Sequence, residues 1–407
     1  MNNQHAPTAA AGARLMSLDV LRGFDLIWIL GADAVVRALA GVTTWSPVQL
    51  LAAQMEHKEW DGFAGYDLIF PLFLFISGVA LVFALPRSLA QHGRGATVRR
   101  ILFRTVILFL LGVIYNGGLT NAWPEVRLAG VLQRIALASG VTAILFCFCR
   151  PRTLYLTGVA LLVGYWALLA FVPVRDITLT KEAMAARLGV GQPTYEQVRG
   201  FYAATANTVT GRYERGLNVT NHFDFLYLPG TKYRTFWDPE GYLSTLPAIA
   251  TCLLGVMAGQ RLRRTDRTPR QNARWLAAAG VTALAAGWIW HPWFPVVKDL
   301  WSSSFVLVAG GWSLCLLAAC YYLVDIRGWW GGCQPFLWIG MNPIVLYLAS
   351  SLLGFYELAR RLAGGSVAAW CDVIHPGLGE LALALVALGL VLVLARFLYR
   401  RQIFLRV

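Results

Sequence analysis

Charged residues are scarce in this sequence, and their scarcity excludes an ordinary soluble domain. Only 14% of the 407 residues are Asp, Glu, Lys or Arg, whereas 57% are hydrophobic and the mean hydropathy is +0.56. Soluble domains contain about 25% charged residues. Several apolar runs reach the roughly 20 residues that a helix needs to cross a bilayer. The composition therefore predicts an all-α polytopic membrane protein, with the lipid bilayer as its first partner.

Motifs for metal binding and nucleotide hydrolysis are absent as well. The six histidines are scattered and form no HExxH pair, and the seven cysteines have no metal-type spacing. We find neither a GxSxG motif nor a GxxxxGK[ST] loop. We therefore expect no metal site and no serine-hydrolase or NTPase chemistry. The cysteines are interpreted as small buried hydrophobic residues.

The excess of basic residues, a net charge of +14, does not predict nucleic-acid binding. The arginines lie in short loops between apolar runs, as the positive-inside rule predicts for cytoplasmic loops. No cleavable signal peptide is expected in the polar first thirteen residues. We predict about ten spans, at 24–42, 66–85, 101–115, 129–149, 154–172, 243–260, 275–290, 300–324, 336–355 and 381–398.

This arrangement places every arginine-rich loop and both termini on the cytoplasmic side. The segment EHKEWDG at 56–62 and the longest polar insertion, 173–242, then lie on the outer side. The insertion mixes charge, aromatic residues and turn residues, which is typical of a folded unit and not of a disordered tail. We expect it to form a cap over a single transmembrane domain, 1–407, in a bacterial inner membrane.

Several ionisable residues fall within or beside the predicted spans. A charge at membrane depth costs at least about 2.5–3.5 kcal/mol, so such residues usually face the bundle interior and have a function. An internal ion pair is the alternative for Asp33 and Arg37, which are spaced i, i+4. Asp67 and Arg134 have no such local partner.

The segment EHKEWDG places His57 ten residues before Asp67. A straight helix would separate the two residues by about 15 Å. Gly62 and Gly65 permit a turn that folds the histidine back, and Pro71 predicts a kinked or partly unwound helix near Asp67. A carboxylate could then orient the ring of a catalytic histidine. A solvated loop histidine without chemistry is the alternative.

Six segments together resemble the transmembrane heparan-α-glucosaminide N-acetyltransferase family. Nearly the whole chain takes part, and the HxxWDG…DLxFP block is the most specific part. The segments are RLMSLDVLRGFD (14–25), HKEWDGFAGYDLIFPLFLFISG (57–78), AGVLQRI (129–135), WDPEGYLSTL (237–246), KDLWSSSFV (298–306) and GMNPIVLY (340–347).

This resemblance implies transfer of an acetyl group from cytosolic acetyl-CoA, the co-substrate, to the amine of a glucosamine-type sugar on the outer side. The family's essential histidine falls on His57, and its DLxFP aspartate falls on Asp67. Animal members carry an asparagine where this chain has Asp33. We expect no counterpart of the luminal domain that precedes the spans in the animal enzyme, so a heparan substrate is not predicted.

Acyl transfer to an amine needs a base or acyl carrier and groups that stabilise an oxyanion. His57 and Asp67 are the predicted catalytic residues, and Arg22 is the predicted CoA-phosphate ligand, with ordinary positive-inside charge as its alternative. A capping or packing role is the alternative for Glu240 and Asn342. The predicted substrate-binding residues are Asp33, Trp60, Gln133, Arg134, Glu240, Lys298 and Asn342.

A proton-coupled sugar transporter is the alternative function, because ten spans, intramembrane carboxylates and an outer cap also suit a carrier. The sequence leaves open the acceptor sugar, a homodimer, and the choice between a ternary complex and a covalent acetyl-histidine.

Overall fold

The amino-terminal part of the protein is a broken helix. The computed structural model describes residues 15–120, 122–123 and 125–404. Helix α1 (Met16–Ile27) runs into a π-helical turn, Trp28–Ala32, and then α2 (Asp33–Val42). Gly31 interrupts the helix with a φ of 128°, a conformation that glycine adopts at little cost. Helix α3 (Ser46–Gln54) follows. Both chain ends, predicted to be cytoplasmic, lie outside the described residues, as do His5, Arg14 and Arg406.

The longest helix is a helical hairpin. A 3₁₀ turn, Gly65–Leu68, leads into α4 (Ile69–Tyr115), whose 47 residues include Gly93 in a non-helical conformation. The hydroxyl oxygens of Ser88 and Thr97 are 3.0 Å apart. Nine residues of straight helix would separate them by about 13.5 Å. The chain therefore reverses near Gly93, and α4 contains the two spans predicted at 66–85 and 101–115.

Helices α5 (Val131–Phe148) and α6 (Pro151–Phe171) precede the long polar insertion. The insertion contains β1 (Val174–Arg175), α7 (Lys181–Leu188), α8 (Tyr195–Ala204), β2 (Thr208–Val209) and α9 (Val219–Tyr227). The two short strands pair antiparallel, Val174 opposite Val209. Segment 173–242 contains its own hydrophobic cluster, which joins Leu179, Val198 and Phe225. This agrees with a folded insertion, while its role as a cap outside the membrane stays a prediction.

The rest of the chain is helical. It comprises α10 (Thr245–Leu262), α11 (Pro269–Trp290), α12 (Ser303–Cys320) with a π-helical end at Tyr321–Ile326, α13 (Gln334–Gly340), α14 (Pro343–Leu353), α15 (Phe355–Ala363), α16 (Ser366–Ile374) and α17 (Leu378–Arg400). Helices α4 and α10 approach closely at Gly78 and Gly255, where a Cβ atom would collide with the facing backbone. Small residues commonly permit such contacts between membrane helices.

The prediction of an all-α polytopic membrane protein is confirmed. Among the described residues, six helices are long and apolar enough to span a membrane, or seven if α13 and α14 form one broken span. Those two helices meet at 83°. The predicted spans 24–42 and 336–355 are broken helices, and α11 is not among the six. In the part of the chain that the structure describes, two of the ten predicted spans are therefore broken helices, and two others share α4.

Candidate active site

Three polar side chains meet at the start of α4. Nδ1 of His57 lies 2.8 Å from Oδ1 of Asp67, and Nζ of Lys298 lies 2.9 and 3.1 Å from the two ring nitrogens. Nζ is also 3.4 Å from Oδ1 of Asp67. The charges of the carboxylate and the ammonium balance if the imidazole is neutral. A neutral imidazole has one nitrogen that can accept a proton.

Backbone pairing explains how Lys298 reaches this cluster from 241 positions away. Gly62, at a φ of 111°, donates its N–H to the carbonyl oxygen of Val296 (2.9 Å). Asp61 forms a β-bridge with Val297, the residue before the lysine. The loop that carries the histidine is thus tied to the segment that carries the lysine.

The second oxygen of Asp67 is held by the backbone of the same loop. Oδ2 accepts the N–H of Ala64 (3.0 Å) and that of Lys58 (3.4 Å). The residue is fully buried. Oδ1 is therefore left for His57, so the predicted approach of the two residues is present.

Pro71 was expected to leave the helix near Asp67 kinked or partly unwound, and the structure has the partly unwound form. Pro71 is the third residue of α4, and the 3₁₀ turn precedes it. Proline is accommodated in a first turn because the N–H groups there have no intrahelical partner. The unwinding lies before the helix, at Asp67 itself.

A cavity of about 240 Å³ reaches His57 and Lys298. The side chain of His57 is 50% exposed, so a ligand in the cavity can touch the ring. Apolar side chains form most of the remaining wall. Four further polar residues line the same space, namely Asp25, Tyr66, Glu240 and Tyr347.

Glu240 is held at the cavity by a partly buried ion-pair network. Arg127 contacts Oε2 of Glu240 (2.8 Å) and makes two hydrogen bonds of 2.9 Å to the carboxylate of Asp238. Burial raises the pKa of Glu240 to about 7, and Asp238 acts in the same direction. Burial lowers the pKa of Lys298, against the opposing effect of Asp67. Shifts of this kind are common among proton-transfer groups of active sites.

Arg134 and Gln133 were expected to bind substrate, but neither lines the cavity. The buried guanidinium of Arg134 donates to the carbonyl oxygens of Pro239 (2.6 Å) and Gly241 (3.3 Å). These carbonyls flank Glu240, so Arg134 fixes the loop that presents that carboxyl. The amide of Gln133 is buried and has no hydrogen-bond partner among the described residues.

Asp33 forms an ion pair with Arg37, as the alternative interpretation of these two residues predicted. Its Oδ2 lies 2.7 Å from Nη2 of Arg37 and accepts the hydroxyl of Tyr66 at 3.1 Å. The ring of Tyr66 is 4.7 Å from that of His57. Asp33 is therefore linked to the cluster through Tyr66 and does not line the cavity.

Trp60 and Asn342, also predicted to bind substrate, lie away from the cavity wall. Nε1 of Trp60 donates to the carbonyl of Tyr213 (3.0 Å), in the insertion. Nδ2 of Asn342 donates to the carbonyl of Ile403 (2.9 Å). Asn342 occupies the break between α13 and α14, which agrees with its packing alternative.

A second cavity of about 430 Å³ adjoins the first one. Arg22, Arg100 and Arg104 line it. Nη1 of Arg22 lies 3.3 Å from the carbonyl of Gly340. Five residues line both cavities, and they mark the boundary between the two spaces: Phe73, Leu132, Ile135, Pro343 and Ile344.

Four residues of these sites were not among the predicted site residues. Arg104 and Asp25 are ionisable residues within apolar runs, which was a usable signal. Tyr66 precedes Asp67 directly and could have been found from that position. Arg127 lies in a polar loop among other charges, and nothing in the sequence marked its contact with Glu240.

Comparison with known proteins agrees with the motifs. Residues 14–193 match the family model "Heparan-alpha-glucosaminide N-acetyltransferase, catalytic". The chain is 27% identical to the heparan-alpha-glucosaminide N-acetyltransferase of Mus musculus, over 84% of this chain and 54% of the relative. It is 26% identical to that of Homo sapiens, over 97% of this chain and 60% of the relative. The chain thus spans less than two thirds of these curated relatives, and the resemblance found in the sequence is confirmed.

Proposed function

On the premise of this resemblance to the heparan-α-glucosaminide N-acetyltransferases, we propose that the protein is a membrane-embedded acetyltransferase. It moves an acetyl group from acetyl-CoA to the amine of a glucosamine-type sugar. The observation that carries the proposal is the cluster of His57, Asp67 and Lys298 at a cavity that adjoins an arginine-lined one.

His57 acts as the base in this proposal. Nδ1–H donates to Asp67, which fixes the tautomer and leaves Nε2 to accept a proton from the amine. The amine nitrogen bonds to the thioester carbon, the C–S bond breaks, and its electron pair leaves with the sulfur. His57 returns its proton to that sulfur. An amine that arrives as an ammonium carries one further proton, which leaves to water.

Lys298 stabilises the charge that develops on the carbonyl oxygen. Its ammonium lies beside the ring that performs the proton transfer, and a fixed positive charge at a developing oxyanion is among the larger contributions to catalysis. Glu240, held at the same cavity by Arg127, binds the acceptor through its amine or a hydroxyl group.

The second cavity holds the donor. Its three arginines offer charge-assisted hydrogen bonds to the phosphates of CoA. The apolar residues that line both cavities then surround the thioester arm as it runs toward His57. The donor reaches the site from the cytosolic side of a bacterial inner membrane, and the sugar reaches it from the outer side.

We favour direct transfer in a ternary complex over an acetyl-histidine intermediate. The His57 side chain is half exposed, and an acyl-imidazole beside water hydrolyses readily. In the covalent route the ring nitrogen itself bonds to the thioester carbon before the amine attacks.

A panel of amino sugars with labelled acetyl-CoA tests the proposal on the full chain in detergent or nanodiscs. We expect acetylated sugar from the wild type and none from His57→Ala, while CoA affinity stays within a few fold. Label that remains on denatured wild type, and is absent from His57→Ala, would select the covalent route. Sugar flux in vesicles without any acetyl transfer would select the transporter instead.

A further inference from the structure

A third cavity, of about 600 Å³, lies apart from the two already described and shares no lining residue with them. It is formed where α10 ends and where α6 and α11 begin. Basic, aromatic and apolar side chains form its wall. The basic ones are Arg261, Arg263 and Arg264, and the apolar ones include Val82, Phe146 and Met257.

The charge in this cavity is of one sign, because no Asp or Glu lines it. Of the three arginines, Arg264 alone pairs with a carboxylate among the described residues, that of Asp266 at the exposed edge (2.7 Å). Arg263 donates to the carbonyl of Val82 (3.2 Å). The guanidinium of Arg261 lies 5.3 Å from the centre of the Trp275 ring. The cavity thus has an uncompensated positive charge.

The Nε atom of Arg261 is buried and has no hydrogen-bond partner among the described residues. A buried donor without a partner is costly, and in native proteins such a group requires an explanation such as a bound ligand. An anion in the cavity would accept this N–H. Ordinary positive-inside charge explains arginines that face water, but it does not explain a buried N–H group without a hydrogen-bond partner.

The start of α6 adds to the positive potential. Pro151, the first residue of this 21-residue helix, lines the cavity. Arg150 precedes it, and no side chain caps the helix. Helix N-termini attract anions through their free N–H groups and the helix dipole. Two independent sources of positive potential therefore meet at one cavity.

We propose that this cavity binds the phosphate of an anionic phospholipid. The headgroup phosphate bonds to Arg261 and to Arg264, and an acyl chain lies against Val82, Phe146 and Met257. A phosphate from solution shares the headgroup chemistry, but the apolar wall favours the lipid. Basic pockets between helices on the cytoplasmic side are typical sites for anionic headgroups.

Native mass spectrometry of the full chain tests this site without any substrate. Protein in a mild detergent is mixed with phosphatidylglycerol or phosphatidylcholine, and the lipid that remains bound is measured. We expect the wild type to retain phosphatidylglycerol in preference, and Arg261→Gln to reduce its affinity about tenfold, as the loss of a charge-assisted hydrogen bond predicts. Arg264→Gln serves as a second variant if Arg261→Gln does not fold.

Arg270→Gln is the matched control, because Arg270 is exposed near the start of α11 and does not line the cavity. It should retain phosphatidylglycerol as the wild type does. Equal retention in Arg261→Gln, Arg264→Gln and Arg270→Gln would overturn the proposal. Displacement of the lipid by inorganic phosphate at millimolar concentration would assign the site to soluble phosphate. Displacement by CoA would assign it to the donor. Either result overturns the lipid assignment.

Discussion

Asp67→Asn offers the sharpest test of the proposed base. In the structure, Oδ2 accepts the N–H of Ala64, and Oδ1 lies 2.8 Å from Nδ1 of His57, whose N–H it accepts in the proposed tautomer. An asparagine can keep only one of these acceptors. If its oxygen stays with the backbone, its NH₂ group faces Nδ1, which must then become the acceptor. The proton moves to Nε2, the atom that has to accept a proton during catalysis.

The expected loss of rate follows from the loss of general-base catalysis by His57. A positioned general base contributes about 10²–10⁴-fold, which is about 2.7–5.4 kcal/mol of activation free energy. We expect kcat of Asp67→Asn to fall by that factor, while KM for acetyl-CoA changes by no more than a few fold. Steady-state kinetics with an accepted amino sugar measure both constants, and thermal unfolding shows whether the variant is folded.

Asp61→Asn is a matched control in the same loop. The carboxylate of Asp61 also faces a histidine, at 3.7 Å from Nδ1 of His291, but it is half exposed and does not line the cavity. This variant should keep kcat within about threefold, the size of a small surface effect. If folded Asp67→Asn retained kcat within the same range, Asp67 would not orient the base, and the proposed mechanism would be refuted.

Three further predictions concern the donor, the insertion and the topology. Arg22→Ala and Arg104→Ala should each weaken CoA binding by about tenfold or more, because a hydrogen bond to a charged group contributes about 1.5–3 kcal/mol; calorimetry should show Arg94→Ala, outside the cavity, unchanged, and an unchanged affinity in the first two variants would remove them from the donor site. Burial raises the pKa of Asp224 to about 8, above its unfolded value, so the folding stability that is fully present below about pH 4 is lost as the pH rises to and through 8. Thermal unfolding of Asp224→Asn from pH 5 to 9 should lack this loss, and a difference between the two proteins that does not vary with pH would contradict the prediction. Gly95→Cys and Gly191→Cys, both in open space, should react with an impermeant maleimide from opposite sides of the membrane in a background without the native cysteines, and labelling from one side would contradict the predicted topology.

The sequence predicted the local part of the site and not its long-range part. His57 and Asp67 are ten residues apart with glycines between them, so a turn could be inferred from chain geometry. Lys298 was recognised as a site residue, but its contact with His57 depends on the pairing of Gly62 with Val296. No periodicity or spacing encodes a pairing between loops so far apart.

Contacts within the protein explain why some residues that were predicted to bind substrate do not line the cavity. An arginine such as Arg134 can bind an anion, but its guanidinium already donates hydrogen bonds to backbone carbonyls of the Glu240 loop. The carboxylate of Asp33 already forms an ion pair with Arg37. The sequence shows that a charge lies in a span, but only the packed structure shows what already neutralises it.

Hydropathy predicted the helical class but not the breaks. Mean hydropathy is insensitive to backbone dihedral angles, so the interruption at Gly31 and the 83° bend between α13 and α14 left no hydropathy signal. The arginine-rich loop predicted between the spans 66–85 and 101–115 corresponds to the chain reversal near Gly93 within α4.

The pairing of Gly62 with Val296 has a consequence for biosynthesis. Asp67 leaves the ribosome 231 residues before Lys298, from the difference of their positions. At about 5–20 residues per second, Asp67 is synthesised roughly 10–50 s before Lys298. During this interval the loop of His57 also lacks the strand-like segment that holds it. Until then His57 is the only side chain of the final cluster that can pair with Asp67, and the cluster closes only after most of the bundle has been synthesised.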